Sequence, residues 1–164
     1  MSASDLLVDL VGALRAQKLT VSFAESCTGG RLSASVAEIA GVSDIFLGSV
    51  VSYAYQAKVD LLGVSWDTLN SEGAVSEKVA SQMAQGCRRS LKSSWSVAIT
   101  GIAGPTGGTA DKPVGTVWFA ASGPNFDRTE KKVFDGNRVR IQQQSAQFAA
   151  EFLLECLEIN RTKK

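Results

Sequence analysis

The chain has 164 residues, a formal net charge of +1 and no histidine. One domain is the expectation at this length, and so small a charge leaves no basic footprint for gripping nucleic acid. Without histidine, a Ser-His-Asp triad and an H-E-x-x-H zinc site are both impossible, and any general base must be Lys, a carboxylate, Tyr or Cys.

Leu6, Leu7, Leu10, Val11 and Leu14 recur at helical spacing, which predicts an opening helix over 4–17. Thr20 to Ala24 reads as a short strand. Glu25-Ser26-Cys27-Thr28-Gly29-Gly30 follows as a polar turn, with a helical pattern running from there to Ile39. Gly41-Val42-Ser43-Asp44 breaks the chain, and Phe46 to Tyr53 is then nearly continuously apolar, the pattern of a strand covered on both faces. Tyr55 to Leu62 reads as a helix that stops at Gly63. Ser76 is a candidate N-cap with Glu77 in the first turn, and Val79, Met83, Cys87 and Leu91 mark one buried face after it. Trp95 to Thr100 is a strand that runs into Gly101–Gly108, a stretch too glycine-rich for regular structure. Val114 to Ser122 and Arg128 to Phe134 pair through Gly123-Pro124-Asn125. The last helix runs from Arg138 to Glu158 with Ile141, Phe148, Phe152 and Cys156 inward, leaving 158–164 as a disordered tail. Helices alternating with buried strands predict an α/β protein, a three-layer α/β/α sandwich forming one domain over 1–164.

No apolar run approaches the ~18–20 residues of a membrane span, and Met1 to Leu6 shows no secretory signal. Cys27, Cys87 and Cys156 are odd in number and lack a C-x-x-C pair, which argues against a disulfide framework or zinc site and for a reducing cytoplasm. Asp and Glu show no metal-ligand spacing.

In an open α/β sheet, ligands collect beyond the carboxyl ends of the strands. Three polar segments follow strands directly: 25–30, 53–58 and 100–108. Ser26 stands at a strand-to-helix turn, where the amides of Cys27, Thr28, Gly29 and Gly30 can hold an oxyanion, or where Ser26 or Thr28 simply caps the helix. A Cys27 thiol at a helix N-terminus is expected to have a lowered pKa. Lys58 shares a helix face with Tyr55 and Leu62. Partly desolvated, it becomes a base for Ser26; fully solvated, it is an ordinary surface lysine. Tyr53 is either a partner of that pair or a packed strand-end tyrosine with a wet hydroxyl. Thr100, Gly101, Ala103 and Gly104 open a loop that either exposes amides to an anion or is merely flexible. Arg138 is either a bidentate phosphate clamp or an exposed arginine.

Four motifs stand in order: Ala24-Glu25-Ser26-Cys27-Thr28-Gly29-Gly30, Gly73-Ala74-Val75-Ser76-Glu77, Ile99-Thr100-Gly101-Ile102-Ala103-Gly104-Pro105 and Lys112-Pro113-Val114-Gly115-Thr116-Val117. With them the chain, from Leu6 to Leu157, resembles the CinA C-terminal-domain family, the stand-alone nicotinamide-nucleotide amidohydrolases. The resemblance implies a mixed, mostly parallel sheet of five strands. It also implies hydrolysis of nicotinamide mononucleotide to nicotinic acid mononucleotide and ammonia by a Ser/Lys dyad, without cofactor or metal, in a homodimer or higher homo-oligomer. By motif position the serine is Ser26, the lysine Lys58 and the tyrosine Tyr53. The glycine loop is Thr100 to Gly108, and the Phe-x-Gly-x-Arg element ends at Arg138. Two positions depart from the family pattern: Tyr55 stands for an asparagine, and Gln142 for a second arginine. Both losses weaken the expected grip on a nucleotide, and a catalytically weak paralogue that binds a nucleotide or a protein is the alternative they motivate.

Overall fold

The computed structural model describes residues 2–163. Helix α1 (Ala3–Ala16) opens the chain under a capping box between Ser2 and Asp5. Strand β1 (Val21–Glu25) leads into helix α2 (Arg31–Ala37), and a single 3-10 turn at Val42–Asp44 precedes strand β2 (Phe46–Val51). Helices α3 (Tyr55–Leu62), α4 (Trp66–Glu72) and α5 (Glu77–Leu91) follow in succession. Strands β3 (Trp95–Gly101), β4 (Thr116–Gly123) and β5 (Phe126–Val133) complete the sheet, and helix α6 (Arg138–Thr162) closes the chain.

The sheet order is β2-β1-β3-β4-β5. β1 lies parallel to both β2 and β3, whereas β4 is antiparallel to β3 and to β5, so β4 alone runs against the rest. One face carries α1, α2 and α6, and the other carries α3, α4 and α5. This is the expected three-layer α/β/α sandwich.

At the buried centre of β1, β3 and β4, alternation sorts side chains by size, while Trp118 stands on the α5 side toward the start of β4. Phe23, Val97, Ile99, Val117 and Phe119 face α6 and fill the larger core. Ala24, Ala98 and Ala120 face α5, and Ser22 and Ser96 join them through hydrogen bonds to Cys87 and to the Ala84 carbonyl. Small residues on the sheet meet Ala80 and Ala84 on α5, so the helix backbone comes close. Gly86 lies against the end of α3: a Cβ built there would stand 1.7 Å from the Leu62 carbonyl oxygen.

Several expectations need correction. β2 is not covered on both faces; it is an edge strand, with Leu47 and Val51 exposed. An apolar run reports low polarity and says nothing of lateral position. Helix α4 lies in a segment assigned no element, beneath a Ser65 cap. The disordered tail is instead helical as far as Thr162. Ile159 still packs on the larger core, and Lys163 Nζ sits 5.4 Å from the Phe126 ring centroid. Lys164 lies outside the described residues. Among the described residues, no helix is long and apolar enough to cross a membrane.

Candidate active site

Because β2, β1 and β3 run parallel, their carboxyl ends converge on one edge of the sheet. Ser26 follows β1, Ser52 and Tyr53 follow β2, and Thr100 and Gly101 end β3. Of these, Ser26, Tyr53, Thr100 and Gly101 line a cleft of about 240 Å³ with Cys27, Lys58, Ala103, Gly104 and Arg138.

Lys58 is only 1% exposed. Its Nζ donates to Ser26 Oγ at 2.8 Å and to the Ser52 carbonyl at 2.6 Å. Among the described residues no carboxylate forms an ion pair with it. Burial pushes its pKa down from 10.5 to about 8, against a smaller opposing effect of Cys27. A neutral amine is therefore within reach near physiological pH, and in that state Nζ can accept from the serine hydroxyl it otherwise donates to.

Cys27 goes the other way. Burial pushes its thiol up to about 12, the reverse of the lowering expected from the sequence. The physical reason is that the turn is not yet helix: α2 starts at Arg31, so no helix terminus aims at the sulfur. Cys27 lines the cleft as an inert thiol.

Glu25 is the residue the sequence hid. It closes β1, fully buried, and its carboxyl group accepts from Thr28 Oγ1 at 2.6 Å, Leu32 N at 3.1 Å, Ser33 N at 2.8 Å and Ser33 Oγ. It serves α2 as an internal cap and binds strand, turn and helix into one unit around Ser26. The legible signal was an acidic residue at a strand end shortly before a helix without its own Ser, Thr, Asp or Asn cap; Gly30 occupies that place. Replacing Glu25 by Gln turns an amide NH₂ toward two donors and should cost about 2 kcal/mol, a fall in Tm of ~4–8 °C. An unchanged melting curve would refute the capping role.

Thr28, Gly29 and Gly30 do not line the cleft. The Thr28 hydroxyl is committed to Glu25, and the Gly29 N–H closes on the Ser26 carbonyl at 3.0 Å. Cys27 does line the cleft, and among the described residues its N–H meets no acceptor on another residue, which leaves it as the candidate oxyanion donor.

The remaining polar groups brace one another. Thr100 Oγ1 donates to the Ala74 carbonyl at 2.8 Å. The Tyr53 hydroxyl meets neither Ser26 nor Lys58 but accepts from Arg138 Nη2. Arg138 Nη1 donates to the Gly104 carbonyl at 2.7 Å, so the arginine clasps the tyrosine to the glycine loop at the cleft mouth. Tyr55 sits on the rim, its hydroxyl accepting from Ala74 N at 3.3 Å. Gln142, one turn beyond Arg138, donates to the Cys27 carbonyl at 2.8 Å and accepts from Arg31 Nε at 3.2 Å. Among the described residues, no three of Cys, Asp or Glu converge in a way that could hold a metal ion.

A family model, that of the CinA C-terminal domain, matches residues 3–157. A CinA-like protein of Fervidobacterium nodosum is 48% identical over 134 residues, covering 82% of this chain and 33% of that protein. A CinA-like protein of Nostoc punctiforme is 51% identical over 127 residues, covering 77% of this chain and 30% of that protein. The chain thus spans about a third of the length of these curated relatives. Among solved structures, the competence/damage inducible protein CihA of Agrobacterium tumefaciens is 37% identical with a TM-score of 0.91, covering 95% of this chain and 99% of that one. A CinA superfamily protein of Klebsiella pneumoniae is 33% identical with a TM-score of 0.92, covering 96% and 99%.

Proposed function

The chain belongs to the CinA C-terminal domain family, and on that premise we propose that it hydrolyses the carboxamide of nicotinamide mononucleotide through a Ser26/Lys58 dyad. The observation that carries the proposal is the 2.8 Å contact between a buried lysine amine of lowered pKa and a serine hydroxyl at a strand end.

Neutral Lys58 takes the Ser26 proton as Oγ attacks the carboxamide carbon. The oxyanion that forms meets the N–H of Cys27. Lys58, now an ammonium, returns the proton to the departing nitrogen; the C–N bond breaks and ammonia leaves. Water then attacks the acyl-enzyme, giving up a proton to Lys58; the bond from Ser26 Oγ to the acyl carbon breaks, Lys58 passes that proton to Oγ, and the acid leaves as its carboxylate. A cleft of about 240 Å³ holds on the order of eight waters' worth of volume, the scale of one substituted pyridine ring. Ribose and phosphate would project past Tyr53 and Arg138.

Ammonia release tests the proposal, with nicotinamide mononucleotide set against free nicotinamide and glutamine. The mononucleotide should be turned over, and the other two should not. The value of kcat/KM should rise with pH as Lys58 loses its proton and level off above about 8. Arg138→Ala should raise KM by about tenfold, the worth of one charge-assisted contact. If glutamine is cleaved as well and Arg138→Ala changes nothing, the substrate is an amide without a phosphate.

A further inference from the structure

We propose that a groove between α1, α2 and α6 is a second binding site, one that takes a small organic acid with a carboxylate head and an apolar body. The inference goes beyond the amidohydrolase reading and stands without it.

The groove has a volume of about 350 Å³, larger than the cleft beside the dyad, and no residue lines both. Small-molecule sites begin at about this size. Leu6 and Leu7 of α1, Leu32 of α2 and Ala146 of α6 supply its apolar wall. Leu6, Leu32 and Ala146 are also buried members of the larger core, so the packing beneath holds the wall in place. The groove is thus built on three helices rather than on loops, which favours a fixed shape.

Arg31 is the only charged residue that lines it. Its Nε donates to Gln142 Oε1 at 3.2 Å, which anchors the guanidinium group. Among the described residues no acceptor meets Nη1 or Nη2, and no carboxylate pairs with the arginine. Ser35, on the same wall, spends its hydroxyl on the Arg31 carbonyl at 2.9 Å and does not compete for the guanidinium. Two donors at the end of a planar fork match the two oxygens of a carboxylate. One positive charge, opposed by no acid in the lining, calls for one negative charge. The apolar wall calls for a ligand whose remainder has no polar groups to desolvate. Inorganic phosphate meets only the first demand, and a neutral alcohol only the second.

The probe is hexanoate, titrated into the full chain and followed by proton–nitrogen spectra. Saturable shifts are expected at Leu6, Leu7, Leu32 and Ser35, with Gly101 and Gly104 of the cleft unmoved. Hexan-1-ol and inorganic phosphate should each bind about tenfold more weakly or worse. Arg31→Met should weaken hexanoate by about tenfold or more, the worth of a hydrogen bond to a charged group, and Arg31→Lys should recover part of the loss. Ser35→Leu narrows the groove and leaves the arginine in place; it should also remove binding, and it carries the test if Arg31→Met does not fold. Arg138→Ala should bind hexanoate as the wild type does. The absence of saturable shifts, shifts confined to the cleft, an equal response to the alcohol, or undiminished binding in Arg31→Met would each overturn the proposal. So would groove resonances that move with protein concentration alone, since a second copy of the chain would then cover the site.

Discussion

Ser26→Ala should abolish ammonia release, with kcat/KM lower by about four orders of magnitude or more, because nucleophile and base act as a unit. Lys58→Met should do the same. The two losses should not multiply in the double variant. Retained activity in either single variant would sink the dyad. The pair also makes a prediction about stability that needs no substrate. In the folded chain Lys58 titrates at about 8, and in the unfolded chain at its ordinary 10.5. Between those values the unfolded chain binds the extra proton, so stability rises with pH across that window. Below about 8 both states are charged and the cost of burying the ammonium is fully present. The rise amounts to about 3 kcal/mol, and it should be missing from Lys58→Met. Urea unfolding of both proteins from pH 7 to 10.5 reads it directly; parallel curves would show that the lysine is not held in a lowered state. At pH 7 the variant should lie within ~2 kcal/mol of wild type. Relief of the buried charge is offset by leaving the Ser52 carbonyl without its donor.

Gly86→Ala should be strongly destabilising although it adds a single methyl. In an exposed helix interior the same change stabilises by about 0.5–1 kcal/mol. Here the added Cβ would meet the Leu62 carbonyl oxygen at 1.7 Å and its carbon at 2.6 Å, both backbone atoms that cannot step aside. Helices α3 and α5 must separate, at a cost of ~3 kcal/mol or more and a fall in Tm of about 6–12 °C. Leu62 ends the helix that carries Lys58 one turn earlier. Activity should therefore fall further than stability explains, since a displacement of ~1 Å at a catalytic group can cost 10²-fold. A variant with raised or unchanged Tm would mean that the close approach is not rigid.

Much of this architecture is legible in the residues. Leu6, Leu10, Val11 and Leu14 announce α1, and Val79, Met83 and Cys87 announce α5, because amphipathic spacing is a local property. Ser26 and Lys58 are legible through their motifs, and the parallel strands bring them together across 32 positions. What escapes is relational. Glu25 reads as one more polar turn residue until the four groups that point at it are known. Phe46 to Tyr53 reads as a strand covered on both faces until the strand order puts β2 at the rim. Gln142 reads as a deficit because its partners, Cys27 and Arg31, lie more than a hundred residues away. The Cys27 thiol is misjudged for a similar reason: a helix was expected to start at a turn, and the field of a helix end vanishes with a shift of a few residues.

The sorting of large side chains to one face of the sheet and small ones to the other has a consequence for how this protein can vary. On the α6 face, bulky residues such as Phe23, Ile99 and Phe119 can exchange for others of like volume, since neighbours of the same kind can shift to share the change. On the α5 face, Ala24, Ala98 and Ala120 have only one smaller option and no larger one that fits. Drift should therefore be permitted on one side of the molecule and nearly forbidden on the other. The forbidden side is the one that docks α3 and its lysine, so the reactive pair is shielded from accumulated change by the scarcity of space behind it.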